Sequence, residues 1–128
     1  MTHQIVIAYK VPSQNERDKW HWAVRGRDRK SATSRIRVAL MRANLTGWRQ
    51  QPGTKISVTI TSYRRQAITD HANLVGGCKG LVDALVNTGI LIDDQDGMVD
   101  IKYNQAPSRL SPIGKGKDAT VIEWEVES

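Results

Sequence analysis

The chain has 128 residues, of which 39% are hydrophobic, so it is long enough for one domain with its own core and too apolar to be intrinsically disordered. Its formal net charge is +6 at pH 7, and no apolar run approaches the roughly 20 residues that span a bilayer, so we expect a soluble protein. The N-terminus lacks the pattern of a signal peptide and a single cysteine excludes an internal disulfide, so a cytoplasmic location is expected.

The first thirty residues begin with a strand pattern and end in a highly charged segment. Apolar and polar residues alternate over residues 3–10, which predicts a strand with its odd-numbered side chains on one face. Residues 11–15 include proline, serine and asparagine, which predict a turn. Residues 16–30 are dense in charge, and we expect a loop or a short helix there.

Residues 31–45 have the apolar spacing of a helix that packs on a core, with arginines off the apolar face. The apolar positions are Ala32, Ile36, Leu40 and Ala43. Ser31 or Thr33 is suited to cap the start of this helix, and Gly47 is suited to end it.

The rest of the chain carries two further kinds of pattern. Residues 55–63 alternate as a half-buried strand, and residues 73–87 carry the apolar stripe of a second helix that Gly89 ends. Two closing strands are predicted over residues 97–104 and 119–126. The order β–α–β–α–β–β predicts that the whole chain is a single α+β domain, with helices packed on a mixed sheet.

Positive charge is concentrated in the first half of the chain. Residues 15–65 contain 13 lysines and arginines against three acids, whereas residues 66–128 contain five against ten. This asymmetry favours a nucleic-acid partner over a purely solvated basic surface, and no large apolar face accompanies it that would favour a membrane surface. The side chains expected to contact phosphates are Arg25, Arg27, Arg29, Arg64 and Arg65.

Acidic residues flank the second predicted helix of this basic chain. Asp70 lies near its start, and Asp93 and Asp94 follow it after a short apolar segment. Neighbouring carboxylates repel one another unless a cation offsets the repulsion, and a hard divalent cation such as Mg²⁺ is the natural occupant. The alternatives are that Asp70 caps the helix and that Asp93 and Asp94 form an exposed acidic turn.

Two features inside the same helix have a structural and a functional interpretation. Lys79 either contacts a scissile phosphate or pairs with Asp83 one helical turn further on. Gly76 and Gly77 each lower helix stability by about 1 kcal/mol relative to alanine, which indicates either close backbone packing or contact with a ligand.

This stretch resembles the RusA family of Holliday junction resolvases, specifically the phage and prophage branch. The family pattern is Asp-x-Asp-Asn-Leu, a lysine on a helix, Asp-Ala-Leu and finally Asp-Asp. It is matched here by Asp70, Asn73, Leu74, Lys79, Asp83-Ala84-Leu85 and Asp93-Asp94. Residues 12–15 and the Trp-His-Trp segment at residues 20–22 also resemble that branch, so the resemblance covers nearly the whole chain.

The resemblance implies a RusA-like fold and a homodimeric endodeoxyribonuclease that cuts four-way DNA junctions in recombination and repair, with Mg²⁺ or Mn²⁺ as cofactor. It assigns metal binding to Asp70 and Asp94, with the preceding Asp93 as a further metal ligand, and catalysis to Lys79 together with Asp70 and Asp94. Asn73 occupies a family position and is expected to contact DNA. A phage-encoded member would act in the cytoplasm of its bacterial host.

The family pattern breaks at Ala72, where an aspartate is expected. A methyl group cannot bind a metal, so either the chain was altered to stop cleavage or it is a natural variant with altered or lost catalysis. Two functions are carried forward: a Mg²⁺-dependent endodeoxyribonuclease that resolves four-way junctions, and a protein that binds branched DNA without cutting it. A third function, single-strand or RNA binding through the four tryptophans, is weaker because these residues are scattered along the chain.

Overall fold

A mixed sheet of four strands, in the order β1-β4-β2-β3, organises residues 1–93 and 97–127, the part of the chain that this computed structural model describes. The strands are β1 His3–Ile7, β2 Ile56–Arg64, β3 Val99–Pro107 and β4 Ala119–Val126. Strand β4 runs antiparallel to both β1 and β2, whereas β2 and β3 are parallel. A parallel pair requires a crossover connection, which two helices supply here.

The helices occupy the connections that follow β1 and β2. They are α1 Gln14–Asp18, α2 Trp22–Arg42, α3 His71–Gly77 and α4 Lys79–Asn87, and a short 3₁₀ helix spans Ser108–Leu110. The predicted α+β domain, with helices packed on a mixed sheet, is confirmed. Among the described residues, no helix combines the length and the apolar character needed to cross a membrane.

One face of the sheet packs against the helices and forms the core. Buried strand residues meet buried residues of α2 and α4, and all of them belong to one cluster: Ile5, Ile7, Ile56, Val58, Ile60, Ile122, Trp124, Ala32, Ile36, Leu40, Leu81 and Leu85. The predicted shared face of the first strand is confirmed, because Ile5, Ile7 and Tyr9 are all buried. The regular strand itself ends at Ile7 rather than at residue 10.

The start of the long helix differs from the prediction. Helix α2 begins at Trp22, nine residues before the predicted start at Ser31, and the His21 side chain caps it by accepting a hydrogen bond from the Ala23 N–H. Its first turns are too exposed to carry an apolar stripe, so periodicity could not reveal them. Arginine, lysine and alanine have high intrinsic helix propensity, which supports helix there without core packing.

The end of the first predicted helix and the middle of the second need correction, whereas the second ends at Asn87 as predicted, with Gly89 at a positive φ of 86°. Helix α2 ends at Arg42, and Asn44, not Gly47, first takes a positive φ, of 56°, because asparagine tolerates the left-handed region. The helix predicted over residues 73–87 is divided at Cys78, which ends α3 and caps α4. Two consecutive glycines precede this break and weaken the helix locally.

The glycines before that break allow two segments of backbone to meet. A Cβ at Gly77 would lie 1.8 Å from the Pro12 carbonyl oxygen, and a Cβ at Gly76 would lie 2.3 Å from the Gln14 side-chain oxygen. Pro12 and Gln14 belong to the segment that enters α1, and α1 packs on α3. Of the two interpretations of these glycines, close backbone packing is therefore the one that the fold realises.

Replacement of Gly77 by alanine should destabilise the protein, because the new methyl group would displace the Pro12 backbone. We expect Gly77→Ala to lower the free energy of unfolding by about 1–3 kcal/mol, measured by urea denaturation. The matched control is Gly26→Ala inside α2, where a Cβ meets no atom within 4 Å. That variant should be more stable by up to about 1 kcal/mol, and equal effects of the two substitutions would contradict the packing account.

Candidate nucleic-acid interface

Asp70 is the N-cap residue of helix α3. Its backbone is extended, and its Oδ1 accepts a hydrogen bond of 3.0 Å from the Ala72 N–H. This is the capping role that aspartate favours at a helix start. The carboxylate therefore has a structural function before any metal is considered, and it remains exposed at the surface.

Lys79 is the first residue of helix α4 and forms a surface ion pair. Its Nζ lies 3.5 Å from Asp83 Oδ1, one helical turn further along. Such an exposed i,i+4 pair contributes only a few tenths of a kcal/mol, so it can open readily when another anion approaches. The pair consequently keeps the ammonium group near the helix surface, available to solvent.

The described residues do not assemble a magnesium site. Asp94 lies outside the described residues, so its predicted metal-binding and catalytic role has no structural description here. Within residues 1–93 and 97–127, no three His, Cys, Asp or Glu side chains approach closely enough to hold a metal ion. Asp70 caps helix α3, and the side chain of Ala72, two residues further on, has no atom that can bind a metal.

A groove of about 450 Å³ runs between the first turns of α2 and helix α4. We call it the basic groove, and its lining residues are Arg17, Trp22, Ala23, Arg25, Gly26, Arg27, Arg29, Lys30 and Asp83. Five of these side chains are cationic and one is anionic. The anionic one, Asp83, is the partner of Lys79, so Lys79 lies at the edge of this groove.

The predicted phosphate-contacting arginines separate into two groups. Arg25, Arg27 and Arg29 line the basic groove, and Arg25 is oriented there by its Nε, which donates to the Arg17 carbonyl at 3.2 Å. Arg65 is exposed but lines a different depression beside Pro107. The five predicted side chains therefore do not form one surface.

Arg64 is the predicted contact that requires correction. It is buried, and its guanidinium donates hydrogen bonds to the carbonyls of Val11 and Gln66. The strand alternation carried a signal for this, because Arg64 shares the parity of the buried residues Ile60 and Ser62 along β2. Its charge is used to hold two chain segments together, so it is not part of the candidate interface.

Asn73 also has a structural partner. Its Oδ1 accepts a hydrogen bond of 2.9 Å from the Asn15 N–H, which ties α3 to the start of α1. Cys78, in the same region, is fully buried, and burial raises the pKa of its thiol to about 12. Both residues therefore support the framework behind the basic groove.

A half-buried polar cluster beside the basic groove was not predicted from the sequence. The Tyr9 hydroxyl donates to both carboxylate oxygens of Asp28, at 2.9 and 3.1 Å, and a Cβ at Gly80 would lie 3.0 Å from Asp28 Oδ2. Burial raises the pKa of the Asp28 carboxyl, although the hydrogen bond from Tyr9 and the charge of Arg17 oppose that change. Burial first, and then the Asp28 carboxylate, raise the pKa of Tyr9 far above its usual range.

The raised pKa of Asp28 predicts a specific pH dependence of stability. The folded state holds the Asp28 proton more tightly than the unfolded chain, so this contribution is full below the unfolded pKa of 3.8 and is lost as pH rises through the folded pKa. Asp28→Asn keeps an acceptor for Tyr9 but cannot ionise. The free energy of unfolding of Asp28→Asn minus that of the unsubstituted protein, measured in urea between about pH 4 and pH 7, should increase as pH rises.

The variant Tyr9→Phe should enlarge this pH dependence, whereas Asp28→Asn removes it. Loss of the Tyr9 hydrogen bond removes a contribution that lowers the pKa of Asp28, so the carboxyl should protonate at still higher pH. A constant difference between the unsubstituted protein and Asp28→Asn over the whole pH range would contradict the assignment.

Comparison of the chain with protein-family models and with curated proteins yields no match. The basic groove, the placement of Asp70 and Lys79, and the sequence resemblance noted above are accordingly the basis for a functional proposal.

Proposed function

We propose that this protein binds DNA through the basic groove. The observation that carries the proposal is the excess of positive charge there, with five cationic side chains against the single carboxylate of Asp83 among the described lining residues. Asp83 is also paired with Lys79, so it does little to neutralise the arginines of the groove. A polyanion with regularly spaced phosphates satisfies this charge, and arginine binds phosphate oxygens with two parallel hydrogen bonds.

The proposed substrate is branched DNA, and the proposed activity is cleavage of four-way junctions in the presence of Mg²⁺ or Mn²⁺ by a homodimer. This step rests on the resemblance to RusA resolvases. Its support in the fold is that the motif lysine, Lys79, lies on the rim of the groove where a phosphate chain would run. A two-fold symmetric dimer matches the approximate two-fold symmetry of a four-way junction.

Binding of branched DNA without cleavage is the second candidate, and Ala72 favours it. The N–H of Ala72 is used to cap α3 through Asp70, and its side chain offers no oxygen to a metal. In this interpretation the groove recognises DNA, while the residues that resemble a catalytic motif serve the fold. The two candidates share the basic groove and differ only in whether the bound DNA is cut.

Removal of one groove charge should weaken DNA binding and reduce its dependence on salt. Arg29→Ala should lower the salt slope of the logarithm of the binding constant by about 1, measured by fluorescence anisotropy on a four-way junction. The matched control is Arg42→Ala, at the other end of α2, about 20 Å away along the helix axis. An equal change in both variants would indicate a diffuse basic surface and would contradict a defined groove.

Restoration of the missing acid should separate the two candidate functions. If the protein descends from a junction-cleaving enzyme, Ala72→Asp should cleave a four-way junction in Mg²⁺ at least about 100-fold faster than the unsubstituted chain, since even outer-sphere losses at metal sites cost 10–100-fold. The control adds Asp70→Asn to Ala72→Asp, because asparagine caps a helix as well as aspartate does but is a poorer metal ligand. No nicking by Ala72→Asp across a titration of Mg²⁺ and Mn²⁺ would leave binding without cleavage as the function.

A further inference from the structure

Trp22 is a large apolar side chain in an unusual position. It is 77% exposed to solvent, yet it lines the basic groove beside Arg25, Arg29 and Lys30. An exposed indole contributes little to the core, because hydrophobic stabilisation follows the area removed from water. The fold therefore does not account for a tryptophan at this position.

The other aromatic contacts of the protein show what a structural tryptophan does here. Trp124 is 1% exposed, and Trp48 packs edge-on against it at a centroid distance of 5.6 Å. Trp22 has a ring neighbour only in the preceding residue, His21, at 5.2 Å within the described part of the chain. The His21 side chain is in turn fixed, because its Nδ1 caps α2 by accepting from the Ala23 N–H.

We propose that Trp22 stacks on an unpaired base of DNA held in the basic groove. The proposal rests on the proposed DNA binding and deepens it by naming the substrate class: DNA in which unpaired nucleotides adjoin a duplex. Every base has a flat π-face that an indole can cover, but within a duplex that face is occupied by the neighbouring base pair. An opened branch point, a gap or a loop presents a free face within the DNA, whereas a fully paired duplex presents one only at its ends.

The chemistry of the groove favours a nucleotide over other anionic partners. The arginines and Lys30 are complementary to a ligand with repeated negative charges, and Trp22 is suited to contact a planar aromatic ring between those charges. Nucleotides offer both in every unit of the polymer, whereas an acidic peptide offers rings only sporadically. A lipid surface is disfavoured because the remaining lining residues, Ala23 and Gly26, provide no further large apolar contact.

The test compares two DNAs of equal length at one salt concentration: a fully paired duplex, and the same duplex with a central loop of unpaired thymines. Dissociation constants are measured by fluorescence anisotropy for the unsubstituted protein, Trp22→Ala, Trp22→Phe and Met41→Ala. Stacking of one base is worth about 1–3 kcal/mol, so Trp22→Ala should bind the looped DNA about 5- to 150-fold more weakly. Its affinity for the paired duplex and its salt slope should not change.

The remaining variants separate stacking from general damage. Trp22→Phe keeps an aromatic ring and should retain most of the affinity for the looped DNA. Met41 is also exposed, at 64%, and lies on the far half of α2, so Met41→Ala should bind both DNAs as the unsubstituted protein does. A 2-aminopurine placed at the unpaired position should be quenched by the unsubstituted protein but not by Trp22→Ala.

The results of this test distinguish failure of the inference alone from failure of the proposed function. If Trp22→Ala binds the looped DNA as tightly as the unsubstituted protein, or weakens both DNAs equally, Trp22 does not stack on an unpaired base although the groove binds DNA. If the unsubstituted protein binds neither DNA, the basic groove is not a DNA-binding site, and the proposed function fails with the inference.

Discussion

The close approach of Gly77 to the Pro12 carbonyl is the contact on which the basic groove depends. Because no side chain separates these two segments, the chain that leaves β1 stays against α3, and α1 packs there with Arg17 on it. Three residues beyond Gly77, the bare backbone at Gly80 admits the Asp28 carboxylate of α2. The glycines of one short segment therefore bring the basic residues of a distant segment beside the start of α4, where Lys79 lies.

Asp28 turns its carboxylate away from the exposed arginines that flank it in α2. An aspartate among so many arginines would ordinarily pair with them at the surface. Here its carboxylate turns inward and accepts the Tyr9 hydroxyl, while burial raises its pKa. The cost of desolvating this group is partly offset by the hydrogen bond from Tyr9 and by the charge of Arg17. The exposed arginines on either side of Asp28 remain available to an anionic ligand.

The sequence was informative wherever one physical factor determined the structure. Strand β2, at Ile56–Arg64, lies within one residue of the predicted bounds 55–63, because its alternation directly records which face is buried. The start of α2 at Trp22 was missed, since exposed helical turns leave no apolar period. The basic groove was harder still to foresee: it joins a segment expected as a loop or short helix to Asp83 on α4, and only tertiary packing creates that pairing. Arg64 was wrongly predicted to contact phosphate because the prediction followed its charge, although Arg64 lies on the buried face of β2.

The framework also bears on why alanine stands at position 72. Ala72 is exposed in the first turn of α3, two residues after the N-cap Asp70. Acidic side chains are favoured in a first helical turn by about 0.3–1 kcal/mol, through attraction to the unpaired N–H groups of the helix start. Packing leaves room for a larger side chain there, and the helix dipole would oppose its repulsion from Asp70. Folding thus gives no reason to exclude an aspartate from position 72.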